Sequence, residues 1–236
     1  MKRYFQTGLL VCIMWISDGF SQQRPFQLGF SLAPNVSWMN AQSQDYQSGP
    51  ARVGYSWGFI GEVFLTENYL VVTGFNIADV GGTLEFPARK TLQGDTAPTT
   101  GSLTRKYKLG YLDIPLGLKM KTKMFGPVDY YGFIGFLTSF NIRARADDTF
   151  TYDDEGVERT QDNTKVDAGD DIGFFKESLM IGGGVEYFFD ESTFLIAGIR
   201  YNNGLTNIMS GYNSVDPSIK QKAFLSYFEL NFGIIF

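Results

Sequence analysis

Residues 224–236 read FLSYFELNFGIIF, and this stretch decides the fold. Phe224, Phe228, Leu230, Phe232, Ile234 and Phe236 occupy its even positions with Ser226, while Tyr227, Glu229, Asn231 and Gly233 are among the odd ones. A period of two sends alternate side chains to opposite faces of a β-strand, so this is a strand with one greasy face and one more polar face. A fold built from such strands must find several more of them in the rest of the chain.

Seven more are legible. Residues 26–38 place Phe26, Leu28, Phe30, Leu32, Val36 and Trp38 on one face and Gln27, Gly29, Ser31, Ala33, Asn35 and Ser37 on the other. Residues 55–65 repeat the pattern with Tyr55, Trp57, Phe59, Val63 and Leu65 against Ser56, Gly58, Ile60 and Glu62. Further strands are predicted at 69–86, 105–121, 128–145, 174–189 and 193–205, before the closing strand at 224–236. Gly81-Gly82 suggests a bulge in the third, and Pro115, which has no N–H for the ladder, sits awkwardly in the fourth. Loops are expected at 40–52, 87–103, 146–172 and 206–221, and tight reversals at 66–68, 123–127 and 190–192. The connections therefore alternate long and short. An even-stranded up-and-down barrel would gather every short turn at one rim and every long loop at the other, as outer-membrane barrels do.

Composition fits that reading. Aromatic residues make up 16% of the 236 residues, with 22 Phe, 13 Tyr and 27 Gly, and the mean hydropathy is only -0.10. A barrel hides its membrane signal in alternation, and the chain has no run of about 18 apolar residues that would cross as a helix. A soluble barrel of the lipocalin type would turn its apolar face inward. Here Glu62, Asp113, Lys119, Glu186, Arg200 and Glu229 all fall opposite the apolar face of their strands. Burying them in an apolar interior would be prohibitive, whereas a polar lumen accepts them. The formal net charge of -5 argues against a nucleic-acid partner.

Lys2 and Arg3 precede the apolar run 9–16, and a polar stretch ending at Ser21 follows, the three regions of a secretory signal peptide. The expected domains are thus a cleaved signal peptide, 1–21, and an all-β transmembrane antiparallel up-and-down barrel of about eight strands, 22–236. The single cysteine, Cys12, lies in the leader. A last strand ending on Phe236 looks like the closing strand of a bacterial outer-membrane barrel, and the resemblance implies an insertion signal at Phe236 for the barrel assembly machinery.

Residues 111–119, YLDIPLGLK, resemble the "Y-L-E-I-P-L-L-L-K" strand of PorT-like outer-membrane β-barrel proteins. The family's aromatic, Gly-rich strand is similar to YYGFIG at 130–135, and GGGVEY at 182–187 and RYNNGLTN at 200–207 match further. The opening LGFSLAPN at 28–35 is similar to the family's "G-x-K-x-G-x-N" but lacks its Lys. The resemblance implies outer-membrane location and a tie to the type IX secretion machinery, to which the founding member belongs, so secretion-system subunits are expected partners beside lipid and lipopolysaccharide.

The chain has 0 His, which removes the base on which the outer-membrane barrel enzymes depend. No enzymatic role and no cofactor are expected. Glu62, Asp113, Glu186 and Glu229 with Lys119 and Arg200 are expected to form a lumen charge network, since a barrel of about eight strands is just wide enough for side chains to fill. The loop 146–172 carries ten acids, among them Asp153, Asp154, Glu155, Asp167, Asp170 and Asp171, as candidate calcium ligands, although their spacing departs from the D-x-[DN]-x-[DN]-G pattern. Two functions follow: a non-enzymatic scaffold or accessory subunit, and, from a different class, a small-solute pore or a ligand-binding or adhesin barrel using its long loops.

Overall fold

The structure, a computed structural model, describes residues 26–92, 97–123, 125–190 and 192–236. The proposed signal peptide lies outside the described residues. Ten strands form: β1 (Phe26–Ala41), β2 (Gln47–Ser48), β3 (Arg52–Phe64), β4 (Tyr69–Thr91), β5 (Pro98–Lys121), β6 (Val128–Asp154), β7 (Val157–Asp167), β8 (Phe175–Phe188), β9 (Phe194–Gly204) and β10 (Ala223–Ile235). Eight of them close a ring of antiparallel pairs in the order β1-β3-β4-β5-β6-β8-β9-β10, with β10 returning to β1. The short β2 pairs with β4, and β7 folds back on β6 as a hairpin beyond the ring. Closure removes every edge within the membrane, the requirement for a sheet in lipid.

The period-two pattern sets the two faces. Phe30, Leu32, Trp57, Phe59, Phe75, Leu116, Phe136, Ile199, Leu230 and Phe232 all point outward and are exposed. The residues of the other parity point inward and are largely buried, with Gln27 opposite Glu62 and Glu229 opposite Asn35 and Arg200. On β5 the outward residues Leu112, Ile114, Leu116, Leu118 and Met120 make an apolar stripe about 20–25 Å tall for a strand tilted as in such barrels. That is the height of a hydrocarbon core. Trp38, Tyr201 and Phe228 cluster at the upper edge of the belt, and Tyr69, Tyr130 and Tyr187 lie near the lower rim, as interfacial girdles do. The connections β3–β4, β5–β6 and β8–β9 share the lower rim with the start of β1 and the end of β10, so the longer connections face the exterior.

Three expectations need correction. The loops 87–103 and 146–172 are largely strand: β4 and β5 run on past the belt as a paired ladder from Phe86↔Leu103 to Thr91↔Pro98, and β6 with β7 forms a hairpin. Its tip is a tight turn in which Glu155 (φ 52) and Gly156 (φ 84) both take positive φ. Gly81-Gly82 makes no bulge, because the β4–β5 register is unbroken from Asn76 to Thr91. Above the top of β3 the end of β1 closes directly on β4, and a Cβ on Gly82 would stand 2.6 Å from the Met39 nitrogen. Pro115 is accommodated where the β4–β5 ladder skips from Thr73↔Leu116 to Asn76↔Asp113, opposite Gly74 at φ +151. The actual bulge lies in β6, where Ile142 is the extra residue opposite Gly110/Tyr111.

Candidate functional site

The interior divides into layers that the strands deliver in register. In the lower layer Lys119 on β5 is the hub. Its ammonium lies 2.5 Å from Glu62 Oε1 on β3 and also contacts Glu186 on β8, whose second oxygen is 2.5 Å from Lys121 Nζ. All three of Glu62, Lys119 and Glu186 are essentially excluded from solvent. Arg200 Nε donates to Glu229 Oε1 at 3.2 Å, and Ser56 Oγ and Asn231 Nδ2 donate to the same carboxylate at 3.2 and 3.3 Å. Asp113 stands apart from these pairs: it accepts from the Tyr227 hydroxyl at 3.4 Å. Of the six residues read from the sequence as one network, the structure thus joins Glu62, Lys119 and Glu186, pairs Arg200 with Glu229 separately, and places Asp113 one layer higher.

Sequence reasoning missed two lumen cations. Lys121 follows Lys119 by two residues, and Lys176 precedes Glu186 by ten on one strand, so parity alone puts both inside. Lys176 is fully buried, donates to Ser178 Oγ at 3.1 Å, and lies 5.2 and 5.6 Å from the ring centroids of Tyr111 and Tyr227.

Above this level the lumen becomes apolar. Met39, Leu84, Tyr107, Leu109, Phe150, Met180 and Leu225, from six different strands, pack against one another with essentially no exposure. The connection 205–222 covers them from outside, burying Ile208 and Met209. Asn207 holds that connection in shape, donating to the carbonyls of Met209 and Gln221 and accepting from the N–H of Met209 and Ala223. Asn213 ties it to Tyr46 and to the Pro87 carbonyl.

A second ion cluster sits at this external mouth, beyond the membrane. Arg105 grips Asp148 bidentately at 2.6 and 2.8 Å and reaches Asp171, while Lys90 Nζ lies 2.5 Å from Asp148. Burial opposes the Asp148 charge, but the hydrogen bonds from Arg105 and Lys90 win and hold the carboxyl below its ordinary range. Burial instead raises Asp171, outweighing the guanidinium beside it. Replacing Asp148 with Asn is expected to cost about 1–2 kcal/mol, since the shape survives and charge-assisted bonds are lost. Faster proteolysis at 205–222 and 168–174 in the variant checks this; unchanged cleavage refutes a clamping role.

The calcium candidates are not brought together. Asp153, Asp154 and Glu155 lie at the hairpin tip, where Asp153 accepts from the Gly156 N–H and Asp154 pairs with Arg159 at 2.8 Å. Asp167, Asp170 and Asp171 lie at its base, a full β6–β7 ladder away, with Asp167 capping the Gly169 N–H. No cluster of acids able to hold a metal ion occurs among the described residues. Phe236 is exposed, and its backbone pairs with Leu28.

The family described as "Outer membrane protein beta-barrel domain" matches residues 20–210. No curated protein matches the sequence. Among solved structures, Neisserial surface protein A is similar at 16% identity, with a TM-score of 0.39 over 87% of this chain and 95% of that one. OprG from Pseudomonas aeruginosa is similar at 11% identity and a TM-score of 0.43 over 89% and 96%. The attachment invasion locus protein Ail of Yersinia pestis is similar at 12% identity and 0.35 over 88% and 98%.

Proposed function

The chain belongs to the outer membrane protein beta-barrel domain family and lies in the outer membrane, and from that premise we propose that it is a non-conducting, non-enzymatic scaffold or accessory subunit working through its rims and external extensions. The observation that carries the reading is the sealed upper lumen, with apolar packing from six strands under a pinned connection. A water-filled path requires a polar, continuous interior, and a barrel of eight strands has room for side chains only. The absence of His supports the non-enzymatic part, as does the commitment of Glu62, Glu186 and Glu229 to cations. The PorT-like strand at 111–119 supports an accessory role in protein secretion.

Two measurements test the proposal. In planar bilayers the purified protein is expected to give no steady single-channel current, and reproducible unitary steps would return the pore reading. Affinity recovery of the tagged protein from native membranes in mild detergent is expected to bring secretion-machine subunits with it in stoichiometric amounts; recovery of the barrel alone refutes the accessory role. The hairpin β6–β7 favours an external contact, because among the described residues β7 pairs only with β6, which leaves its other edge open. Trimming residues 151–160 to an Asn-Gly turn should leave the barrel intact, and lower partner recovery if the contact is there.

A further inference from the structure

We propose that the outward cations just above the apolar belt on β5, β6 and β7 form a seat for the phosphate groups of the phosphorylated glycolipid of the outer leaflet, whose acyl chains lie on the apolar surface beneath. The inference uses the outer-membrane location and is independent of the scaffold reading.

Its basis is positional. On β5 the outward apolar stripe ends at Leu112, Gly110 follows, and the next two outward residues are Lys108 and Lys106. Register places Arg143 opposite Gly110 and Arg145 opposite Lys108 on β6. Lys165 joins them from β7, where the chain takes positive φ (58) and its N–H donates to Asp147 Oδ1 at 3.1 Å. Five cations thus lie at the level where the hydrocarbon ends and headgroups begin, on a protein whose net charge is -5.

Acids offset only part of this charge: Arg143 and Lys108 are ion-paired, and Arg145 stands opposite Asp167 in the ladder without forming an ion pair among the described residues. Asp79 is shared by Arg52 at 2.6 Å and Arg143 at 3.4 Å, and Asp147 is taken by Lys108, with the Lys108 and Lys165 hydrogen bonds holding its carboxyl below the ordinary range. Lys106, Arg145 and Lys165 form no ion pair among the described residues.

Three of the five, Arg143, Arg145 and Lys165, line a concavity of about 670 Å³ with Asn141, Ile142 and Asp167, while Lys106 and Lys108 lie outside it on β5. Asp167 is its one carboxylate, held by the Gly169 N–H. The floor suits an acyl chain. The β6 bulge pushes Ile142 outward, and Phe140 packs against Phe174 and Phe175 at 5.6 and 6.0 Å beside it, with Ile142, Phe174 and Phe175 exposed. Arginine forks and ammonium groups above an apolar floor match a phosphate above acyl chains, and a basic site at headgroup level is how lipid phosphates are held.

The test compares lipids on the intact protein. Purified in mild detergent, it is titrated by native mass spectrometry with lipid A carrying its phosphates and with the same lipid A after enzymatic dephosphorylation. The phosphorylated form is expected to bind about tenfold tighter or more, as several charge-assisted bonds imply. Arg143→Glu/Arg145→Glu/Lys165→Glu should abolish the difference while the barrel keeps its heat-modifiable mobility, and Arg143→Lys/Arg145→Lys should retain most of it. Equal binding of the two lipids by the unaltered protein overturns the proposal without any variant. A folded triple-Glu variant that still discriminates overturns it too, as does capture of an acidic protein at these residues in place of lipid.

Discussion

Lys119→Met is expected to destabilise the barrel by about 3–5 kcal/mol, the loss that follows when one member of a buried ion cluster is removed and its partners stay behind charged. Among the described residues the ammonium is the one cation paired with both Glu62 and Glu186, which come from strands on opposite sides of the ring, and both carboxylates are shut off from water. Glu186 retains Lys121, whereas Glu62 is left with no cation among the described residues. Methionine keeps the volume, so the loss reports charge rather than a cavity. Guanidinium unfolding of the protein in detergent or lipid, followed by loss of heat-modifiable mobility, measures it. Adding Glu62→Gln to Lys119→Met should restore about half of the loss or more, because the stranded charge is then gone. A single variant within about 0.5 kcal/mol of the unaltered protein would show that the cluster does not hold the strands in register.

The division between what the sequence discloses and what it hides follows the lipid. Where a strand crosses the membrane, one face must be apolar, so β1, β3 and β10 announce themselves and their ends are read to within three residues. Past the belt no solvent imposes alternation. The upper parts of β4 and β5, with Pro87, Pro98 and several Thr, therefore read as loop although they pair fully. The β6 bulge hides more. One extra residue at Ile142 reverses the parity of everything after it, so Ala144, Ala146, Asp148 and Phe150 point inward where unbroken alternation would turn them out. Asp148 thus looks like one acid among ten in a solvated loop, when it is the buried anchor of Arg105 and Lys90. Lys121 and Lys176 are a different kind of miss, since their parity was plain. The lumen network was legible as a set of inward charges, while its division into two clusters and a separate Asp113 depends on strand stagger, which no single strand encodes.

Stagger also decides where an arginine on the outer face of β10 does most damage. The apolar positions Phe228, Leu230, Phe232 and Ile234 look equivalent in sequence, but Phe228 packs at a tilt against Tyr201 at 4.7 Å and Trp38 at 5.7 Å in the upper aromatic cluster. An arginine there reaches headgroups by extending its side chain. Leu230 and Phe232, paired with Ile199 and Ala197, lie farther into the belt. Leu230→Arg and Phe232→Arg are accordingly expected to weaken folding into bilayers by about 2–4 kcal/mol and Phe228→Arg by about 1 kcal/mol, following the depth dependence of arginine on barrel exteriors. Glu229→Gln is the inward control: it should loosen the contacts to Arg200, Ser56 and Asn231 and leave insertion nearly unchanged. Equilibrium folding into liposomes, read by heat-modifiable mobility, ranks the four. If Phe228→Arg proved as costly as Leu230→Arg, the upper edge of the belt would have to be moved outward past Trp38, and the cationic seat on β5 and β6 would then lie within hydrocarbon rather than at the headgroups.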